Sequence, residues 1–157
     1  MKRSILRTVT LCAVSLILSM TAKASPIDSI YAKKMAVNFM RSVSELNFRS
    51  VNPVVAYTAM ATRQEEGRSV ECPMYYVVNV GTTGFAIIAA DSRVSPVLAY
   101  STTSSFDGDR IPANVAFLLG EYQQQIELIC DSLDEPAPAV ASAWDALSRP
   151  SRLHSRT

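Results

Sequence analysis

"MYYVVNVGTTGFAIIAADSRVSPVLAYS", residues 74–101, sets three apolar runs in close succession. The first, residues 74–80, is built from Tyr and Val. The loop Gly81-Thr82-Thr83-Gly84 separates it from "FAIIAA", residues 85–90. β-Branched and aromatic side chains suit a pleated surface, and glycine supplies the dihedrals of a tight connection, so the pair predicts a hairpin. After Asp91-Ser92-Arg93 a third run, "PVLAYS", residues 96–101, completes a short meander. An acid, a hydroxyl and a base between two strands invite a catalytic reading. The other reading is a corner, in which Asp accepts a backbone N–H two residues on and Arg closes the turn with its charge.

On the N-terminal side, Ser25-Pro26-Ile27-Asp28 reads as a helix start: a capping Ser, Pro at the first helical position, and an acid three residues after the cap. Ile30, Ala32, Met35, Ala36, Phe39, Met40, Val43 and Leu46 then recur at steps of three and four, predicting an amphipathic helix that ends near Asn47. Residues 54–61 are a candidate strand. "QEEGRSVECP", residues 64–73, is too charged to be buried and reads as a polar connection. The strands are apolar on both sides, which suggests that helices cover one face.

On the C-terminal side, "TTSSFDGD", residues 102–109, is a turn-forming loop that leads through Ile111-Pro112-Ala113-Asn114 into a second helix. Val115, Leu118, Leu119, Tyr122, Ile126, Ile129 and Leu133 form its apolar stripe. From Glu135 the sequence loses periodicity and gains Pro, Ala, Ser and Arg. Residues 135–157 therefore read as a flexible tail, within which Trp144 and Leu147 are candidates for one docked turn.

The first 24 residues form a separate unit. Lys2, Arg3 and Arg7 precede an apolar run from Val9 to Met20, and Ala22-Lys23-Ala24 has small residues where a signal peptidase reads them. The expectation is a signal peptide cleaved after Ala24, and a secreted or periplasmic product with no membrane attachment. The run falls short of the roughly 20 apolar residues that a spanning helix needs. The whole chain carries a net charge of +1, and losing Lys2, Arg3, Arg7 and Lys23 leaves 11 cations against 14 anions. A mildly acidic product has no basic face for phosphates, which argues against nucleic acid. Cys72 and Cys130 remain, an even number that permits one disulfide in an oxidising compartment without requiring it.

Residues for catalysis are scarce. The single histidine, His154, lies three residues from the end of the expected tail, where nothing would hold it against a substrate. Without it, neither cysteine has an activating base and no Ser-His-Asp set can be assembled. Two separated cysteines match no zinc spacing, and the five glycines form no phosphate-cradling motif. The expectations are no enzyme, no metal and no cofactor. Asp91-Ser92-Arg93, lacking catalytic partners, is expected to turn the chain.

Residues 74–126 closely resemble the propeptide of streptopain-family cysteine proteases, the module that also defines Spi-type inhibitors. The features that carry the resemblance are the Tyr-rich strand, Gly84-Phe85 before an aliphatic run, Asp91-x-Arg93, Ser95-Pro96-x-Leu98-x-Tyr100-Ser101, Ser105-Phe106-Asp107, and Asn114 ahead of a helix with Tyr122-x-x-Gln125-Ile126. It implies an α+β fold, here a short antiparallel sheet of three to four strands packed against two amphipathic helices, with the inhibitor-like domain spanning residues 25–134. It also implies a partner, a streptopain-type cysteine protease, bound by a domain that is monomeric when free. Inhibition would act in trans by occluding the active-site cleft, and Ser105, Phe106, Asp107 and Asn114 are the residues the resemblance places at that contact. Phe106 has a competing role in the core, and Asn114 a competing role as helix cap. Two other readings stay open: the propeptide of a truncated protease precursor, and a secreted binding module that reuses the fold.

Overall fold

The structure, a computed structural model, describes residues 24–44, 51–65 and 67–149. The chain forms α1 (Ser29–Val43), β1 (Val54–Glu65), β2 (Arg68–Asn79), β3 (Phe85–Ala89), β4 (Val97–Ser101), α2 (Ala113–Ser132) and α3 (Pro138–Ser148). The strands make one antiparallel sheet in the order β1-β2-β3-β4. The fold is therefore α+β. Each strand pairs with its neighbour in sequence, so tight turns suffice. In the β2–β3 turn Gly81 takes a φ of +73°, and the Val80 N–H donates to the Gly84 carbonyl at 2.9 Å. Gly84 is favoured by space instead: a Cβ there would lie 2.5 Å from Met40 Cε and 3.1 Å from the Ser101 carbonyl oxygen, so a larger residue would displace the buried Met40 side chain.

Helices cover both faces of the sheet, where the sequence suggested one. Successive strand residues point to opposite faces, and β2 shows this with Tyr75 and Tyr76. The buried Tyr75 hydroxyl donates to the Leu119 carbonyl in α2 at 3.1 Å, and the buried Tyr76 hydroxyl donates to the Ile27 carbonyl just ahead of α1 at 3.2 Å. Val77, Val78, Ala86 and Ile88 between them are fully enclosed. Burial on two sides explains why this stretch reads as a continuous apolar run without clean alternation.

α1 begins later than the capping pattern suggested. Ser25 and Pro26 are held by the sheet: Pro26 bridges Asp91, and the Ile27 N–H donates to the Ala90 carbonyl at 2.9 Å. The cap is Asp28, whose Oδ1 accepts the Tyr31 N–H at 2.7 Å. Ala32, Met35, Ala36 and Met40 are buried as the stripe predicts, while Ile30, at its edge, is 77% exposed. α1 ends at Val43, with Ser44 as its C-cap; Leu46 and Asn47 lie outside the described residues.

The polar connection of residues 64–73 belongs to the strands. β1 and β2 stay paired out to Glu65 and Arg68, and Gly67, at a φ of +77°, takes part in the turn. Charge excluded these residues from the core, but a two-stranded ribbon projecting into solvent needs no core.

The expected tail is ordered over Pro138–Ser148, a helix with Pro at its first position. Its anchor is Trp144, 7% exposed, which donates Nε1–H to the Val94 carbonyl at 2.9 Å and packs against Tyr31 with ring centroids 6.2 Å apart. Asn38 Nδ2 of α1 donates to the Leu147 carbonyl at 3.0 Å. A large aromatic with a polar handle, one hydrogen bond and the partly buried Val140 and Leu147 dock a helix whose Ala-rich sequence shows little periodicity. Among the described residues no helix is long and apolar enough to cross a membrane. The expected signal peptide lies almost wholly outside them.

Candidate functional site

The loop after β4 crosses the α2 face of the sheet, and one strand residue governs it. Asn79 ends β2 on the same face as Tyr75. Its Oδ1 accepts the Phe106 N–H at 2.8 Å and its Nδ2 donates to the Phe106 carbonyl at 2.9 Å. The Phe106 ring turns inward against Phe85 at 5.6 Å and Tyr57 at 6.3 Å between centroids. Phe106 is thus partly buried and holds the loop down, while Ser105 and Asp107 on either side of it are exposed. Asp107 shapes the following turn, its Oδ1 accepting the Asp109 N–H at 3.0 Å. Gly108 then passes so close to β1 that a Cβ would lie 2.2 Å from the Ala56 carbonyl oxygen.

The loop feeds directly into α2. The N-cap of that helix is Pro112, with no side-chain cap bond, so Asn114 does not cap it; it is the second helical residue and is exposed. Phe117, one turn on, is 71% exposed, and Leu118 beside it is exposed too. Phe117 fell outside the predicted apolar stripe, and a large aromatic off the buried face of a helix is the sequence signal that marks it. Asn79 carries a subtler signal, a lone amide inside the run "YYVVNV".

Asp91-Ser92-Arg93 is a corner, and it fastens three parts of the fold. Asp91 Oδ1 accepts the Arg93 N–H and Nε–H, each at 2.9 Å, and Oδ2 pairs with Nη2 at 2.7 Å. Nη1 donates to the carbonyls of Cys130 and Leu133, both at 2.8 Å, and so satisfies the C-terminal end of α2. Ser92 Oγ accepts the Ser25 N–H at 2.8 Å, and the Ser92 N–H donates to the Ser25 carbonyl at 3.1 Å. Burial alone would raise the Asp91 pKa, but the hydrogen bonds and charge of Arg93 outweigh it and hold the carboxyl below its ordinary range.

Cys72 and Cys130 are separate thiols here. Cys72 sits on β2 opposite Ala61, and its Sγ donates to the Ala61 carbonyl at 3.5 Å. Cys130 lies on the buried face of α2, where desolvation pushes its thiol pKa up. A raised pKa makes it a poor nucleophile. Among the described residues no group of three or more His, Cys, Asp or Glu could hold a metal ion, and His154 lies outside them.

What this part of the surface offers is a fastened loop and an exposed helix start. The chain belongs to the Spi protease inhibitor family, whose model matches residues 24–126. That range takes in α1, the sheet, the loop and most of α2, and stops short of α3. Among curated proteins, the chain is 27% identical over 133 residues to the thiol protease/hemagglutinin PrtT of Porphyromonas gingivalis, covering 83% of this chain and 15% of that protein. It is 40% identical over 52 residues to streptopain of Streptococcus pyogenes, covering 33% of this chain and 13% of that one. The chain therefore spans a small part of the length of either relative. No solved structure matches it.

Proposed function

We propose that this protein is an exported, secreted or periplasmic inhibitor of a streptopain-type, papain-like cysteine protease, acting in trans by covering the active-site cleft. The observation that carries the reading is the presentation of Ser105, Asp107 and Asn114 on an exposed loop and helix start, in a chain of the Spi protease inhibitor family. A papain-like protease works through a thiolate–imidazole pair. A folded surface that fills the cleft silences it with no chemistry of its own. Asn114 supplies an amide for a polar subsite, and Phe106 serves from beneath, as the core anchor of the contact loop.

Acting in trans sets a demand on affinity. A tethered propeptide works at an effective concentration of order millimolar, so a separate inhibitor must bind more tightly to achieve the same occupancy. The decisive experiment is an inhibition titration of streptopain and related thiol proteases with the 25–157 protein. Saturable inhibition below micromolar concentration is the expected result, and unchanged turnover at micromolar concentration overturns the proposal. A second reading has a specific observation in its favour: the two relatives are proteases of which this chain spans 15% and 13%. As the propeptide of a longer precursor, the domain would inhibit only weakly once separated.

A further inference from the structure

We infer that Asn79 is the positioning residue of the contact loop, acting through the peptide groups of Phe106 to hold Ser105 and Asp107 in their presented form. This rests on the inhibitor reading for its consequence, but its physical basis stands apart from it. An asparagine side chain carries one carbonyl and one N–H2, the same pair of groups as a peptide unit. Asn79 uses both on a single residue 27 positions away, accepting the Phe106 N–H at 2.8 Å and donating to the Phe106 carbonyl at 2.9 Å. The side chain thus does for the loop what an adjacent strand would do, at the point where β2 ends.

The loop needs such a fastening. Residues 102–112 belong to neither helix nor strand, and the flanking Ser105 and Asp107 side chains are exposed and cannot anchor it. The Phe106 ring sets how deep the loop sits, but a ring against Phe85 and Tyr57 leaves rotation of the neighbouring peptides free. The two-point bond to Asn79 removes that freedom. A loop ordered before it meets its partner loses less conformational entropy on binding, which is where the affinity of a rigid inhibitor originates.

The test uses the 25–157 protein and three forms: wild type, Asn79→Ala, and Asn79→Asp, which keeps the acceptor for the Phe106 N–H and loses the donor. Amide hydrogen exchange by NMR reads the clamp without reference to inhibition. Asn79→Ala is expected to lower protection of the Phe106 amide by at least about tenfold, while the Val80 amide, bonded to Gly84 in the β2–β3 turn, and the Ala90 amide, bonded to Met74 of β2, keep theirs. Asn79→Asp should retain much of the protection. The inhibition constant against streptopain should rise about tenfold in Asn79→Ala at a temperature well below the variant's melting transition, where the domain is folded and a merely structural role would leave inhibition unchanged. Unchanged Phe106 protection in Asn79→Ala overturns the inference, as does a loss of protection that leaves the inhibition constant unmoved. Should wild type fail to inhibit at all, the inhibitor reading falls, and the exchange data still decide whether Asn79 holds the loop. If Asn79→Ala does not fold, Asn79→Leu, near asparagine in volume and lacking both the acceptor and the donor, takes its place in the comparison.

Discussion

Replacing Arg93 by alanine should be strongly destabilising, because its side chain fastens a sheet corner to the end of α2. The Asp91 and Arg93 side chains are only 14% and 13% exposed, and the guanidinium makes two bonds to the carboxylate and two to the end of α2. Removing it leaves a largely buried carboxylate without its partner, a change that typically costs about 3–5 kcal/mol. The two α2 carbonyls lose donors at the same time, worth about 1 kcal/mol each where water cannot replace them. A loss of about 5 kcal/mol, the low end of that sum, lowers the melting temperature of a domain of this size by about 15–25 °C. Urea unfolding at neutral pH of Arg93→Ala, Asp91→Ala and the double variant measures both the cost and the coupling. The double variant should be less destabilised than the two singles added together, with an interaction energy of about 1–3 kcal/mol. A cost for Arg93→Ala below about 1 kcal/mol, or additive singles, would show that the corner contributes nothing beyond its turn.

The same pair predicts the acid limb of stability. The Asp91 pKa is lower in the folded state than in the unfolded chain, so its contribution is complete above the ordinary carboxylate pKa of about 4 and is lost as pH falls through the folded value; Asp91→Asn should flatten that limb in pH-dependent urea titrations. Trp144→Ala, which empties the anchor of α3, should destabilise by about 3–5 kcal/mol in thermal unfolding. A loss below 1 kcal/mol would mean that α3 adds little to the fold. Asn114→Ala should weaken inhibition about tenfold in the protease titration and leave the melting temperature unchanged, since Asn114 does not cap α2. Loss of both together would assign Asn114 to the fold.

The sheet was legible because its central strands are governed by local rules. Tyr and Val runs separated by a glycine loop leave few alternatives to a meander; β3 and β4 fall within a residue of the expected bounds, while β2 begins six residues earlier, at Arg68. Charge misled at residues 64–73, where Glu65, Arg68 and Glu71 were read as a loop although strand pairing asks only for backbone partners. Composition misled at residues 138–148, because docking depended on Trp144 meeting Val94 and Tyr31, contacts that no local window contains. Of the candidate site, Ser105 and Asp107 are exposed, whereas Phe106 is committed to the interior. Asn79, which ties them together, could not be found from spacing, since its partner is 27 residues away. The covering of both faces was present in the sequence as a missing alternation and was read as one-sided.

The corner at Asp91 to Arg93 also bears on the order in which this chain can fold. Ser25 meets Ser92 across 67 residues, and Arg93 meets Cys130 and Leu133 across 37 and 40. Contacts this distant carry a loop-closure cost that is recovered only when both ends are present, and they slow folding accordingly. A chain emerging N-terminus first from a ribosome holds the segment at Ser25 unpaired until Ser92 has appeared, and the corner cannot be locked until α2 is complete. The hairpins of the sheet can pair as they appear, but the corner that fastens them to the start of the chain and to α2 closes last.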